Sequence, residues 1–275
     1  MKNILKSLFI SGFPVFALIV FIKTILKQNF SLEQISLLIS SFTIVLFFSM
    51  LFIKPVARTT ETLKPYSLII LVSILISLFD FNRNTLLINV ILTLGWVIYL
   101  KWYSSFNNRD LNQLEIGKIL PNFSLENSKK EAINLNSLEG KFKIYIFYRG
   151  NWCPLCMAQI KEVVQQYKEL EKRNIDMVLI SSQPHKFSEN LAKKHKVPFH
   201  FLVDVENKMA KKLNIYHKNG LPTGFQILGY DSDVVLPTVI ITDKNNKIIF
   251  SDLTDNYRVR PEPETFFRII DNYKE

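Results

Sequence analysis

The run Phe142-Lys143-Ile144-Tyr145-Ile146-Phe147-Tyr148-Arg149-Gly150-Asn151-Trp152-Cys153-Pro154-Leu155-Cys156 contains both cysteines of the 275-residue chain. Its first half, rich in aromatic and β-branched side chains, predicts a buried strand over 142–148. A helix is predicted to begin at Pro154, since an early helical position tolerates a missing N–H and a fixed φ. Two thiols separated by two residues on that first turn can close a small disulfide and reopen it. The helix N-terminus supplies partial positive charge and free N–H groups, which stabilise a thiolate. Cys153 is expected to be the more exposed nucleophile of lowered pKa, with Cys156, one turn further in, as its resolving partner. No framework of structural disulfides is available from two cysteines, so the pair reads as chemistry.

Downstream of the dithiol, short apolar runs alternate with helical patterns, which predicts an α/β domain with a mostly parallel central sheet. Strands are expected at 142–148, 176–182, 199–203, 237–242 and 246–251, and helices at 154–173, 186–196, 205–213 and 262–273. Cys156, Ile160, Val163, Val164, Tyr167 and Leu170 repeat at helical spacing and form one buried stripe. Asp243-Lys244-Asn245-Asn246 reads as the turn of a closing hairpin.

Upstream, residues 7–22, 34–53, 65–79 and 84–100 contain no charged side chain and are rich in Leu, Ile, Phe and Val. They read as four membrane spans, the third weakest because Asp80 and Arg83 close it early. A secretory signal peptide is the rival for the first, but Lys23 and Lys27 flank its far end and further apolar segments follow. The expected organisation is a multi-span region over 1–103, a polar linker over 104–115 and a redox domain over 116–275. The net charge of +10 divides unevenly: residues 1–109 carry 10 Lys and Arg against 3 Asp and Glu, leaving 24 against 21 for the rest. The basic excess therefore belongs to membrane flanks, and a nucleic-acid surface is not expected. Lys2, Lys6, Lys54, Arg58, Lys64, Lys101 and Arg109 would share one side against Lys23, Lys27 and Arg83. That bias places both termini and the redox domain in the cytoplasm, in a multi-pass protein of bacterial inner-membrane type.

Several motifs together resemble the alkyl hydroperoxide reductase / thiol-specific antioxidant family, whose peroxiredoxin-like members have a thioredoxin-like fold. The matching residues run from Ile116-Gly117-Lys118-Ile119-Leu120-Pro121 through Leu135, Leu138 and Gly140 to Trp152-Cys153. They resume at Leu236-Pro237-Thr238-Val239 and at Asp255-Asn256-Tyr257-Arg258-Val259-Arg260-Pro261. The resemblance implies a central mixed sheet flanked by helices, following a membrane region of about four helices. It implies a cis Pro237 facing the dithiol, with Trp152 and Thr238 contacting substrate. Arg149, beside the redox turn, is the expected thiolate stabiliser; Arg258 and Arg260 are alternatives if segment 255–263 folds back over the site. Typical peroxiredoxins carry Pro seven residues and Thr or Ser three residues before the peroxidatic cysteine, where this chain has Ile146 and Gly150.

The implied activity is that of a membrane-anchored, peroxiredoxin-like thiol oxidoreductase acting on peroxide or disulfide and reset by an external dithiol such as a thioredoxin-like protein. A plain disulfide reductase, or a redox gauge for the membrane part, are the alternatives. No cofactor is expected. Zinc is disfavoured because His185, His195, His200 and His217 show no ligand spacing, and Met157 stands where covalent haem attachment needs His.

Overall fold

The computed structural model describes residues 2–27, 31–79, 82–106, 112–252 and 254–274. Four helices come first: α1 (Lys2–Leu26), α2 (Leu32–Ile53), α3 (Lys64–Phe79) and α4 (Arg83–Ile98). The last continues through a π-helical turn, Tyr99–Tyr103. Three are long and apolar enough to cross a bilayer, namely Lys2–Leu26, Leu32–Ile53 and Arg83–Tyr103. At 16 residues α3 spans only about 24 Å, short of a ~30 Å hydrocarbon core, in keeping with its weak sequence signal. Asp80, one of the residues that closes that segment, lies outside the described residues, as do Arg109 and the middle of the linker.

The helices turn aliphatic side chains such as Leu8, Ile19, Leu71 and Leu75 outward and keep polar groups inside. Between α2 and α4, Ser40 donates to Asn89 Oδ1 at 2.6 Å and Asn89 donates to Ser36 at 2.9 Å, all three buried. Hydrogen bonds of this kind hold apolar helices together where hydrophobic burial discriminates poorly. Phe47, Phe48, Trp96 and Tyr99 complete the interior with edge-to-face ring contacts at 5.0–5.6 Å.

The rest of the chain adopts the expected thioredoxin-like fold. Its strands are β1 (Ser124–Glu126), β2 (Ala132–Asn134), β3 (Phe142–Phe147), β4 (Ile175–Ser181), β5 (His200–Val203), β6 (Tyr216–His217), β7 (Val234–Val235), β8 (Thr238–Asp243) and β9 (Ile248–Ser251). Seven form one sheet in the order β2-β1-β5-β4-β3-β8-β9, while β6 and β7 pair separately. Strand β3 is central and wholly buried, parallel to β4 (Ile144 opposite Met177) and antiparallel to β8 (Ile146 opposite Val239). A strand covered on both faces reads as an unbroken apolar run, which is why this segment was so legible. Ile144 and Ile146 face α5 (Pro154–Gln165) and α9 (Pro263–Asn272); Tyr145 and Phe147 face α8 (Lys208–Lys212) across the sheet.

Two local expectations need correction. The single helix over 154–173 is two, α5 and α6 (Tyr167–Lys172), because Gln166 leaves helical geometry at φ −97°, ψ 11°. The edge hairpin β1–β2 was not foreseen, since three residues per strand are too few to show alternation. The helix expected at 186–196 is α7 (His185–His195), and the hairpin turn at Asp243 joins β8 to β9.

The helical region and the sheet domain share a tight seam. Arg258 is fully buried and donates from Nε to Ser104 at 2.8 Å, from Nη1 to Thr59 Oγ1 and the Thr60 carbonyl at 2.9 Å, and from Nη2 to the Glu61 carbonyl at 2.8 Å. At α1, Asn3, Ser7 and Ser11 donate to the carbonyls of Lys218, Leu221 and Thr223. Beside them, Tyr99 and Tyr257 share a hydroxyl contact of 2.9 Å. Arg258→Ala leaves several carbonyls of the 59–61 turn without donors and should cost about 3 kcal/mol, or roughly 5–10 °C in the melting temperature of the full chain in detergent. A melting temperature unchanged by the substitution would show that the seam contributes nothing to stability.

Candidate redox site

Cys153 is the N-cap of α5, and its Sγ accepts the Cys156 N–H at 3.4 Å. Pro154 opens the helix, so the only orphan N–H it removes is one the helix could not use. Both cysteines are free thiols and both are buried, Cys153 at 2% exposure and Cys156 at 0%. The expectation that Cys153 is the exposed member is therefore corrected: the helical region covers it. The loop before the dithiol is fastened by Gln183, which accepts the Asn151 N–H and donates to Tyr148 and to the Asn151 side chain.

Segment 255–263 does fold back over the site, and it is Arg260 that reaches the sulfur. Its Nη1 and Nη2 each lie 3.5 Å from Cys156 Sγ; Nη1 also donates to Gln159 at 3.0 Å and Nε to the Tyr257 carbonyl at 2.9 Å. Gln159 sits one turn beyond Cys156 on α5, so the helix that carries the thiol also orients the cation. Arg149, favoured from sequence, is buried nearby and also favours the ionised form of both thiols, though its guanidinium makes its contacts elsewhere. It donates to the Gly220 carbonyl and stacks on Trp152 with its guanidinium carbon 4.7 Å from the ring centre.

Burial opposes ionisation of Cys156, but the Cys153 thiol, the Arg260 guanidinium and local hydrogen bonds outweigh it and bring the pKa down to about 5. Burial and the adjacent Cys156 push Cys153 well up instead. These contacts favour negative charge on Cys156 and the proton on Cys153. This reverses the assignment made from the helix dipole alone, because a guanidinium in contact outweighs the partial charge of a helix end.

Pro237 also differs from expectation. No cis peptide bond occurs among the described residues, so Leu236–Pro237 is trans, the default geometry of an X–Pro bond. Pro237 and Thr238 sit beside Gln159 and Arg260, behind Cys156, and the Thr238 hydroxyl donates to the Leu236 carbonyl. The space in front of Cys153 is instead a cavity of about 340 Å³ walled by Ile10, Leu51, Tyr103, Trp152 and Phe225. That α1 and α2 meet the dithiol was not read from sequence; the available signal was Ser7 and Ser11, polar residues one turn apart within the uncharged run 7–22.

Gly150 has φ +147°, and a Cβ built there would lie 2.7 Å from Trp152 Nε1. The hydroxyl that peroxiredoxins place at this position has no room here. Among the described residues no group of three His, Cys, Asp or Glu side chains could hold a metal ion.

The AhpC/TSA family profile matches residues 116–251. Thiol-disulfide oxidoreductase ResA of Bacillus subtilis is 27% identical over 148 residues, covering 54% of this chain and 78% of that protein. Chloroplastic peroxiredoxin Q of Populus jackii is 27% identical over 112 residues, covering 41% and 53%. Among solved structures, peroxidoxin BcpB of Mycobacterium tuberculosis superposes with a TM-score of 0.49 at 14% identity, covering 59% of this chain and 99% of that one.

Three outcomes follow from the site's geometry. Thiolate absorbance of the reduced chain should appear as pH rises through about 5, and Arg260→Gln should move that midpoint upward; an unchanged midpoint would contradict the pairing. Because the folded pKa of Cys156 lies below its unfolded value of ~8.5, this group adds stability that is complete above the unfolded value and lost as pH falls through 5. Gly150→Ala should destabilise the chain by about 1–3 kcal/mol in denaturant titration, since both its φ and the Trp152 contact penalise a side chain.

Proposed function

With residues 116–251 an AhpC/TSA family domain, we propose that this oxidoreductase is a membrane-anchored enzyme of thiol–disulfide exchange, with Cys153 as nucleophile and Cys156 as base and resolving thiol. The observation that carries this reading is the Arg260–Cys156 contact, with the Cys153 thiol at the N-cap of the same helix. The Cys156 thiolate takes the Cys153 proton as Cys153 attacks a substrate disulfide, forming a mixed disulfide and releasing one substrate thiolate. Cys156 then attacks the Cys153 sulfur, its proton leaves with the second substrate thiol, and an intramolecular disulfide closes. An external dithiol resets it. Arg149 holds Trp152 in the wall of the site, and Pro237 backs the Arg260 pocket.

Peroxide as substrate is the less supported half of the family's chemistry, because the Gly150 geometry leaves no room for the hydroxyl that would hold the attacked oxygen. Residues 1–103 serve as the anchor and 104–115 as the connection to the redox domain. The start of α1, the turn at 54–63 and the end of α4 all meet that domain, so Lys2, Lys6, Lys54, Arg58, Lys64 and Lys101 gather at one end. That grouping supports a cytoplasmic redox domain.

Two experiments test the proposal. The reduced full chain should reduce a small disulfide and consume hydrogen peroxide far more slowly, with Cys153→Ser abolishing both; full activity of Cys153→Ser would remove the mechanism. A C-terminal reporter that matures only outside the cytoplasm should stay inactive, and an active one would reverse the orientation.

A further inference from the structure

The front of the dithiol is closed by the helical region, which limits what can reach it. The cavity before Cys153 runs between the sheet domain and the apolar side chains Ile10, Phe48, Leu51 and Phe52 of α1 and α2. Two of the residues lining it hold buried donors, Arg149 Nε–H and Trp152 Nε1–H, with no acceptor among the described residues. Unsatisfied buried donors are costly, so an occupant that pairs with them must bring acceptor oxygens. An occupant that enters past α1 and α2 must be lipid-soluble, and one that reacts with a dithiol must accept two electrons. We propose that this cavity binds the ring of a membrane quinone and that the Cys153–Cys156 dithiol reduces it to the hydroquinone. The proposal rests on the dithiol chemistry assigned above and names a substrate for the same site.

The ring's two carbonyl oxygens are the acceptors that Arg149 and Trp152 lack, and Trp152 and Phe225, packed edge-to-face on each other at 5.8 Å between centres, give the cavity an aromatic wall. In the reaction the Cys153 sulfur bonds to a ring carbon, its proton passes to Cys156, and an electron pair moves onto a carbonyl oxygen. Cys156, giving up that proton, attacks the Cys153 sulfur; the S–S bond forms, the C–S bond breaks and its electron pair returns to the ring. The hydroquinone takes up two protons in all, one from the dithiol and one from water. A second, polar cavity of about 170 Å³, lined by Lys6, Arg149, His217, Tyr103 and Tyr257, adjoins the first and provides the water route. The buried His217 Nδ1 there also lacks a partner among the described residues. Burial, then Arg149 and Lys6, hold this imidazole down to about 3, so it stays neutral and can orient water.

The test uses the full chain, reduced and then freed of reductant, in lipid nanodiscs without oxygen. A decyl-substituted benzoquinone is added, and free thiols and hydroquinone are measured together. The proposal expects both thiols of each chain to be lost with one hydroquinone formed. It also expects a rate at least about tenfold above that with linoleic acid hydroperoxide, and about tenfold slowing when Leu51→Trp fills the cavity. Thiols that survive the quinone but are consumed by 2,2′-dithiodipyridine would overturn the quinone site and leave disulfide exchange standing. Thiols that survive both reagents would overturn both readings. Faster oxidation by the lipid hydroperoxide, or quinone oxidation undiminished in a folded Leu51→Trp chain, would also overturn the proposal.

Discussion

A guanidinium buried against a sulfur is the contact on which this structure turns. Arg260 is 6% exposed, and an isolated cation so placed would be prohibitively costly. Its compensation is the Cys156 thiolate, with Gln159 and the Tyr257 carbonyl taking the remaining donors. The charge state of the dithiol is therefore a packing requirement as much as a chemical one: the cation stays buried because the sulfur is ionised, and the sulfur is ionised because the cation is there. Two residues earlier in the same segment, Arg258 fastens the turn between α2 and α3. One short stretch, Tyr257-Arg258-Val259-Arg260, thus sets the thiolate and ties the redox domain to the helices.

That double attachment explains why the dithiol is covered. With the 54–63 turn held by Arg258 and the start of α1 hydrogen-bonded to Lys218, Leu221 and Thr223, the first turns of α1 and the last turns of α2 lie over Cys153. The site consequently has two unlike sides. Behind Cys156 lie Arg260, Gln159 and Pro237, polar and nearly filled. In front of Cys153 lie apolar side chains and open volume.

Much of this was legible in the sequence, for definite reasons. Strand β3 is buried on both faces and therefore continuous in its apolar pattern, and two cysteines one helical turn apart leave little choice of role. The four helices follow from uncharged apolar runs. What sequence left open were matters of contact. Arg149 is adjacent to the redox turn in the chain yet points to Gly220 and Trp152, while Arg260, more than a hundred residues from Cys156, touches the thiol. The trans Leu236–Pro237 bond departs from what the family resemblance implied. The docking of α1 and α2 on the dithiol was invisible because an apolar helix looks alike on its lipid-facing and protein-facing sides.

The arrangement of that front cavity is the claim most open to a direct check. The reduced full chain in nanodiscs should be treated at matched concentration with neutral, lipid-soluble N-ethylmaleimide or with a membrane-impermeant, sulfonated maleimide, and Cys153 modification followed by mass spectrometry. The structure predicts that the neutral reagent modifies Cys153 and the anionic one leaves it free. Equal labelling by both reagents, at the rate of an open thiol in water, would contradict a dithiol enclosed by the apolar helices.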